Sequence, residues 1–319
     1  MIITRQHTAI FVIGLALFAA ACIGCKQTRN AAEVAGSPAN DQPAVFVVNY
    51  PLQYFAERIG RDLVKVHFPA PRDVDPAFWQ PSAEVIADYQ SADLILLNGA
   101  NYARWVKNAT LPQSKLVDTS AAVSERFITV ENDITHQHGP QGEHSHAGIA
   151  FTTWLDPTIA IEQARAIKAA FCSLLPEHQV TIETAFEELA EDLRSVDSRL
   201  QELFAEHKEQ PVVFSHPVYQ YFIRRYDLNA KSVHWEPNVI PDDRAWAELK
   251  LLVGDHRAQL FIWEGTSAKQ SIEKLLGIGI HSAVFDPCSN VPETGNYLSA
   301  MNRNFEALSA RFSKSHDRY

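Results

Sequence analysis

From about Gln179 to His207 the chain carries one apolar stripe: Phe186, Leu189, Leu193, Val196, Leu200 and Leu203, alternately three and four residues apart. That spacing places them along one narrow side of a long helix. The remaining faces are charged, with Glu187, Glu188, Glu191, Asp192, Arg194, Asp197 and Arg199. A stripe this narrow suits either a coiled-coil dimer seam or a single helix laid across two bodies. The segments on either side favour the second reading, because each alternates strand-like and helix-like runs.

Before the long helix, strands are expected at Val45–Val48, Leu63–Phe68, Leu94–Leu97 and Leu116–Val117. Helices are expected over Phe55–Ile59, over Ala83–Tyr89 with Ser82 as its cap, and over Pro157–Leu174. Leu94–Leu97 is continuously apolar, the mark of a strand covered on both faces. After the long helix the pattern returns. Strands are expected at Val212–Phe214, Lys231–Trp235, Leu260–Trp263 and Ala283–Phe285, with helices at Pro217–Tyr226, Asp242–Val253, Ser267–Leu276 and Asn296–Arg311. Such alternation predicts an α/β protein: two lobes with mostly parallel sheets, linked by one long rigid helix, with a cleft between them. The expected divisions are a first lobe over 44–175, the connecting helix over 176–209 and a second lobe over 210–319.

The N-terminus reads differently. A short polar head with Arg5 precedes the apolar run Ile10–Ala21. That run is shorter than the roughly 20 residues a membrane-crossing helix needs, so 1–21 reads as a secretory signal peptide. It ends in Ala20-Ala21-Cys22-Ile23-Gly24-Cys25, which resembles a bacterial lipobox. Cys22 is the favoured lipidation site and Cys25 the competitor. Residues 22–43 then read as a flexible tether, leaving the protein exported and anchored through lipid. The remaining cysteines, Cys172 and Cys288, could pair in an exported protein or stay as thiols. A net charge of −10 argues against nucleic acid as a partner.

Two groups of residues could carry chemistry. The first is His136-Gln137-His138 followed by Glu143-His144-Ser145-His146, within the polar stretch 131–148. Four of the chain's 13 histidines fall within eleven residues, a composition that binds transition metals. The second is dispersed. His216, Glu264 and Asp286 each follow an expected strand of the second lobe, which puts them on one rim. An imidazole nitrogen with carboxylate oxygens is a set that zinc accepts and manganese tolerates. His234-Trp235-Glu236 ends another strand and is a lesser candidate. Trp79, Trp154, Trp235 and Trp263 lie near element ends, as packing residues or as a water-excluding wall. Nucleophile-elbow, phosphate-loop, dinucleotide and His-Glu-x-x-His patterns are absent from the sequence.

Several pieces in order carry a resemblance: Tyr50-Pro51-Leu52, Val74-Asp75-Pro76 with Gln80-Pro81-Ser82, and Ala92-Asp93-Leu94 running to Ala100. The histidine-rich stretch, Trp154-Leu155-Asp156-Pro157, Ser215-His216 with Tyr221-Phe222 and Arg225-Tyr226, and Phe285-Asp286-Pro287 complete it. Over Ala44–Arg311 the chain resembles the zinc/manganese-type solute-binding proteins of bacterial ABC metal importers (cluster A-I). The resemblance implies two α/β lobes, one metal site between them, no catalysis, zinc as first cargo with manganese as alternative, and a monomer that meets a membrane permease. It also implies four metal ligands. Two match at His216 and Asp286. The other two positions hold Ala77 and Thr152, so the metal site diverges from the family's pattern. His144 and His146 either fold into the cleft to replace them, with Glu264 as a further donor or an orienting group, or collect metal outside it. The competing readings are a binding protein that has lost the ordinary site and serves as a metal buffer or takes another metal or chelate, and a zinc hydrolase with Glu264 as base.

Overall fold

The computed structural model describes residues 42–316, apart from 131–134, 138–142 and 146–147. The signal segment, Cys22, Cys25, the tether as far as residue 41, His138 and His146 lie outside the described residues.

Residues 42–316 hold two four-stranded sheets, both parallel throughout. The first contains β1 (Ala44–Val47), β2 (Lys65–His67), β3 (Leu94–Leu97) and β4 (Leu116–Asp118), in spatial order β2-β1-β3-β4. Its helices are α1 (Tyr50–Gly60) and α2 (Ala83–Ser91). Two short antiparallel pairs follow. β5 (Thr129–Val130) pairs with β8 (Gly148–Ile149), and between them β6 (Thr135–Gln137) pairs with β7 (Glu143–Ser145). Next come α3 (Pro157–Leu174) and the long α4 (Gln179–Ala205). The second sheet holds β9 (Val212–Phe214), β10 (Ala230–Ser232), β11 (Leu260–Trp263) and β12 (His281–Val284), in order β10-β9-β11-β12, the same topology as the first. Its helices are α5 (Gln220–Tyr226), α6 (Asp243–His256), α7 (Lys269–Gly277) and α8 (Tyr297–His316).

All eight strands expected of the two sheets are present. The differences lie at the ends. α1 opens at Tyr50-Pro51, ahead of the expected Phe55. The Asn49 side chain caps that helix by accepting from the Leu52 amide, and proline sits in the first turn, where its missing N–H costs nothing. β10 stops at Ser232, so His234, Trp235 and Glu236 lie beyond the strand rather than at its tip. The four short strands between 129 and 149 carry no alternating apolar pattern and were not expected.

α4 has 27 residues, so it runs about 40 Å at 1.5 Å per residue. It contacts α1 and α3 on one side of the chain's midpoint and α5 and α8 on the other. Phe186, Leu189, Leu193, Val196 and Leu200 are buried as the stripe requires, but Phe204 is buried in place of Leu203. A true helix turns slightly more slowly than a 3.5-residue repeat, so its buried line drifts to later residues over several turns.

Three residues fasten the two rims together. Asn98, directly after β3, is buried. Its Oδ1 accepts from Asn49 (3.0 Å), Gln163 (3.1 Å) and Thr153 (3.3 Å), while its Nδ2 donates to the Phe151 carbonyl (2.9 Å). The turn that follows uses φ of +77° at Gly99, where a Cβ would strike the side chains of Ser120 and Asp118. From the same segment, the Thr152 hydroxyl donates to the Val218 carbonyl and the Trp154 indole donates to the Pro287 carbonyl (2.7 Å). The 151–154 segment is thus bonded to the carboxyl ends of strands in both sheets.

Cys172 and Cys288 are free thiols. Among the described residues no helix is long and apolar enough to cross a membrane.

Candidate metal centre

In an open α/β sheet, ligands collect where the strand order reverses, beyond the carboxyl ends of the strands. In the second sheet that place lies between β9 and β11. His216 follows β9 after one residue and Glu264 follows β11 directly. Glu236 reaches the same point from the loop after β10. His216 Nδ1 lies 3.2 Å from Glu236 Oε1 and 3.8 Å from Glu264 Oε1. One ligand atom from each of the three lies within 4.8 Å of the others, a spacing that could hold a metal ion.

His216 is 2% exposed, while the two glutamates keep partial access to solvent. The His234 ring stands edge-on to His216 with centroids 5.8 Å apart. In the same lobe, Trp235, Trp246, Phe261 and Trp263 form one aromatic cluster, with Trp235 to Trp246 at 4.8 Å and Phe261 to Trp263 at 4.7 Å. Trp235 and Trp263 therefore pack as core. Trp154 is wholly buried at the segment joining the rims, and Trp79 is half-buried.

Burial opposes a charge on His216, but Glu264, Glu236 and Asp75 outweigh it and raise the imidazole above its ordinary value. Asp75 belongs to the loop after β2, so the first half of the chain adds its charge to the same centre. The sign follows from linkage. Stability from the imidazolium is fully present below about pH 6.5, the unfolded value, and is lost as pH rises through the raised folded value. A metal held by this nitrogen would have to displace its proton.

The other sequence candidates are placed as follows. Asp286 follows β12 on the same rim but is not one of the three grouped donors. Its Oδ1 accepts from the Cys288 amide at 2.7 Å, and its backbone is held from both sides by Asn304 of α8. Burial raises its carboxyl above the ordinary value, against the Cys288 amide and Arg303. His136 and His144 stand opposite one another in the β6–β7 ladder. Ala77 is wholly buried, with its amide on Asp75 Oδ1 (2.9 Å), and Thr152 is 4% exposed with its hydroxyl on Val218. Glu236, the lesser candidate in the sequence, thus lies closer to His216 than the favoured Glu264 does. The signal for it was present in the residue type and its place after a strand, but not in any spacing to His216.

Comparison with known proteins adds to this geometry. The family model described as ZnuA, zinc-uptake complex component A periplasmic, matches residues 45–311. The zinc-binding lipoprotein AdcA of Streptococcus pneumoniae (strain ATCC BAA-255 / R6) is 25% identical over 306 residues, 92% of this chain. The chain spans only 58% of AdcA's length. The high-affinity zinc uptake system protein ZnuA of Bacillus subtilis is 23% identical over 321 residues, covering 95% of this chain and 97% of that protein. Among solved structures, the metal-dependent lipoprotein YcdH of Bacillus subtilis superposes with a TM-score of 0.71 at 20% identity, over 84% of this chain and 98% of that one. At that identity the likeness speaks for the fold.

Proposed function

Because this chain belongs to the periplasmic zinc-uptake component A family, we propose that it captures a divalent transition metal, zinc first, and delivers it to the membrane permease of an ABC importer. The family is one of transport components, not of enzymes. The observation that carries the reading is the convergence of His216, Glu236 and Glu264 at the switch point of the second sheet. Lipidation at Cys22 would hold the protein, as a monomer, on the extracytoplasmic face of the membrane. Relatives named as zinc-binding lipoproteins support that placement.

One nitrogen and two carboxylates make three ligands, one fewer than zinc takes in a closed site. We propose that the histidine-rich stretch, with His144 and His146 foremost and His136 and His138 as auxiliaries, supplies the rest. Asp286 is kept as a reserve carboxylate on the same rim. One observation favours a second reading. The donors among the described residues are oxygen-rich, a set that suits manganese as well as zinc, and a divergent site of this kind would fit a buffer or a carrier of another metal.

Competitive titration of the untagged protein tests both readings. The expected result is one equivalent of zinc bound more tightly than manganese. Affinity should fall by at least about tenfold from about pH 7.5 to about pH 5.5, as the proton on His216 competes. Replacing His144 and His146 together by alanine should lower zinc affinity by orders of magnitude. Unchanged affinity in that double variant would make the stretch a collector outside the site. Manganese bound ahead of zinc would favour the second reading.

A further inference from the structure

The three donors come from three different strand ends, and they converge only if those ends are held in register beyond the sheet. Ser215, between β9 and His216, is wholly buried and bonds to both neighbouring strands. Its amide donates to the Ile262 carbonyl of β11 at 2.8 Å. Its carbonyl accepts from the Trp235 amide at 2.7 Å, in the loop after β10. Its Oγ accepts from the Glu264 amide at 3.1 Å. Each donor is therefore fixed at one remove or less: His216 follows Ser215, Glu236 follows Trp235, and Glu264 is itself bonded.

Two of the three bonds use the backbone, and any residue could make them. The third needs a side-chain acceptor one bond beyond Cβ, which serine supplies within a fully buried volume. Alanine would leave the Glu264 amide without that acceptor, and the end of β11 would be free to swing away from His216.

We propose that Ser215 is the positioning residue of the metal centre: its hydroxyl sets the distance from Glu264 to His216, and through it the affinity for the metal. This rests on the metal site proposed above and deepens it. Outer partners of metal ligands commonly carry 10- to 100-fold of the affinity.

The test compares wild-type, Ser215→Ala, Ser215→Thr and His216→Ala chains by competitive zinc titration and by thermal unfolding of the metal-free forms. Ser215→Ala should bind zinc about 10- to 100-fold more weakly while its metal-free unfolding midpoint stays within a few degrees of wild type. Ser215→Thr, which keeps Oγ, should return most of the affinity. A Ser215→Ala chain that is less stable but binds as tightly as wild type overturns the positioning role. So does a Ser215→Thr chain as weak as Ser215→Ala. If His216→Ala binds like wild type, the metal site itself is wrong and the proposal falls with it. Should Ser215→Ala fail to fold, amide hydrogen exchange in the wild-type metal-free chain decides. The Glu264 amide should be protected before metal is added, and its free exchange would overturn the proposal.

Discussion

Replacing His216 by alanine should lower zinc affinity by more than about 100-fold, beyond the loss usual for an outer partner of a metal ligand. His216 supplies the one nitrogen of the three grouped donors. Neutral imidazole is what separates a site for zinc from a purely carboxylate site, which suits magnesium, calcium or manganese. Removing it also leaves Glu236 and Glu264 with carboxylate oxygens within 4.8 Å of each other. Like charges at that range resist ionisation, so the remaining pair would hold a metal poorly at neutral pH. Isothermal titration with a competing chelator reads the change. A variant that keeps wild-type zinc affinity would place the cargo elsewhere. The Glu236→Gln and Glu264→Gln variants keep side-chain size and should each weaken binding by less, since each leaves the nitrogen and one carboxylate in place.

Replacing Trp154 by alanine should cost about 5 kcal/mol of folding stability. Truncating a buried tryptophan costs about 3–5 kcal/mol through lost burial and the cavity left behind. Trp154 is wholly buried and stacks edge-on with Tyr102 at 5.5 Å. Its indole also bonds the Pro287 carbonyl, one residue past Asp286. That carbonyl would lose its partner, which adds about 1–3 kcal/mol if water cannot replace it. Domains commonly hold about 5–15 kcal/mol in total, so the variant should sit close to unfolding at ambient temperature. Urea denaturation of the metal-free chain gives the number, and a loss below about 2 kcal/mol would mean that the segment between the rims is not a structural tie. Because Trp154 is not one of the three grouped donors, zinc should partly rescue the variant by mass action.

The sheets and the long helix were legible because their information is local. Continuous apolar runs such as Leu94–Leu97 and Leu260–Trp263 fall at the expected residues, and the stripe on α4 announces a helix longer than either lobe needs. That His216 and Glu264 meet, 3.8 Å apart, was legible because each stands just past such a run. The proximity of Glu236, and not Asp286, to His216 was not legible in the same way. What surrounds each carboxylate depends on how its backbone is held, by contacts near and far in sequence. Asp286 is held by Asn304, 18 residues on, and by the amide of Cys288, itself at a φ of +59°. Glu236 is carried to His216 by the bond from the Trp235 amide to Ser215, 20 residues back. The bond to the Cys288 amide is local, but no spacing rule in the chain encodes those to Asn304 and Ser215. Ala77 and Thr152 are a different case. Their identity alone shows that neither position can supply an imidazole, and Thr152 spends its hydroxyl on Val218 instead.

Soaking crystals of the full chain in zinc and collecting anomalous scattering at the zinc edge locates the cargo without relying on any variant. One strong peak should lie about 2.0–2.2 Å from a nitrogen of His216 and from carboxylate oxygens of Glu236 and Glu264. A fully occupied zinc bound elsewhere, with these three side chains left uncoordinated, would contradict capture at the switch point of the second sheet.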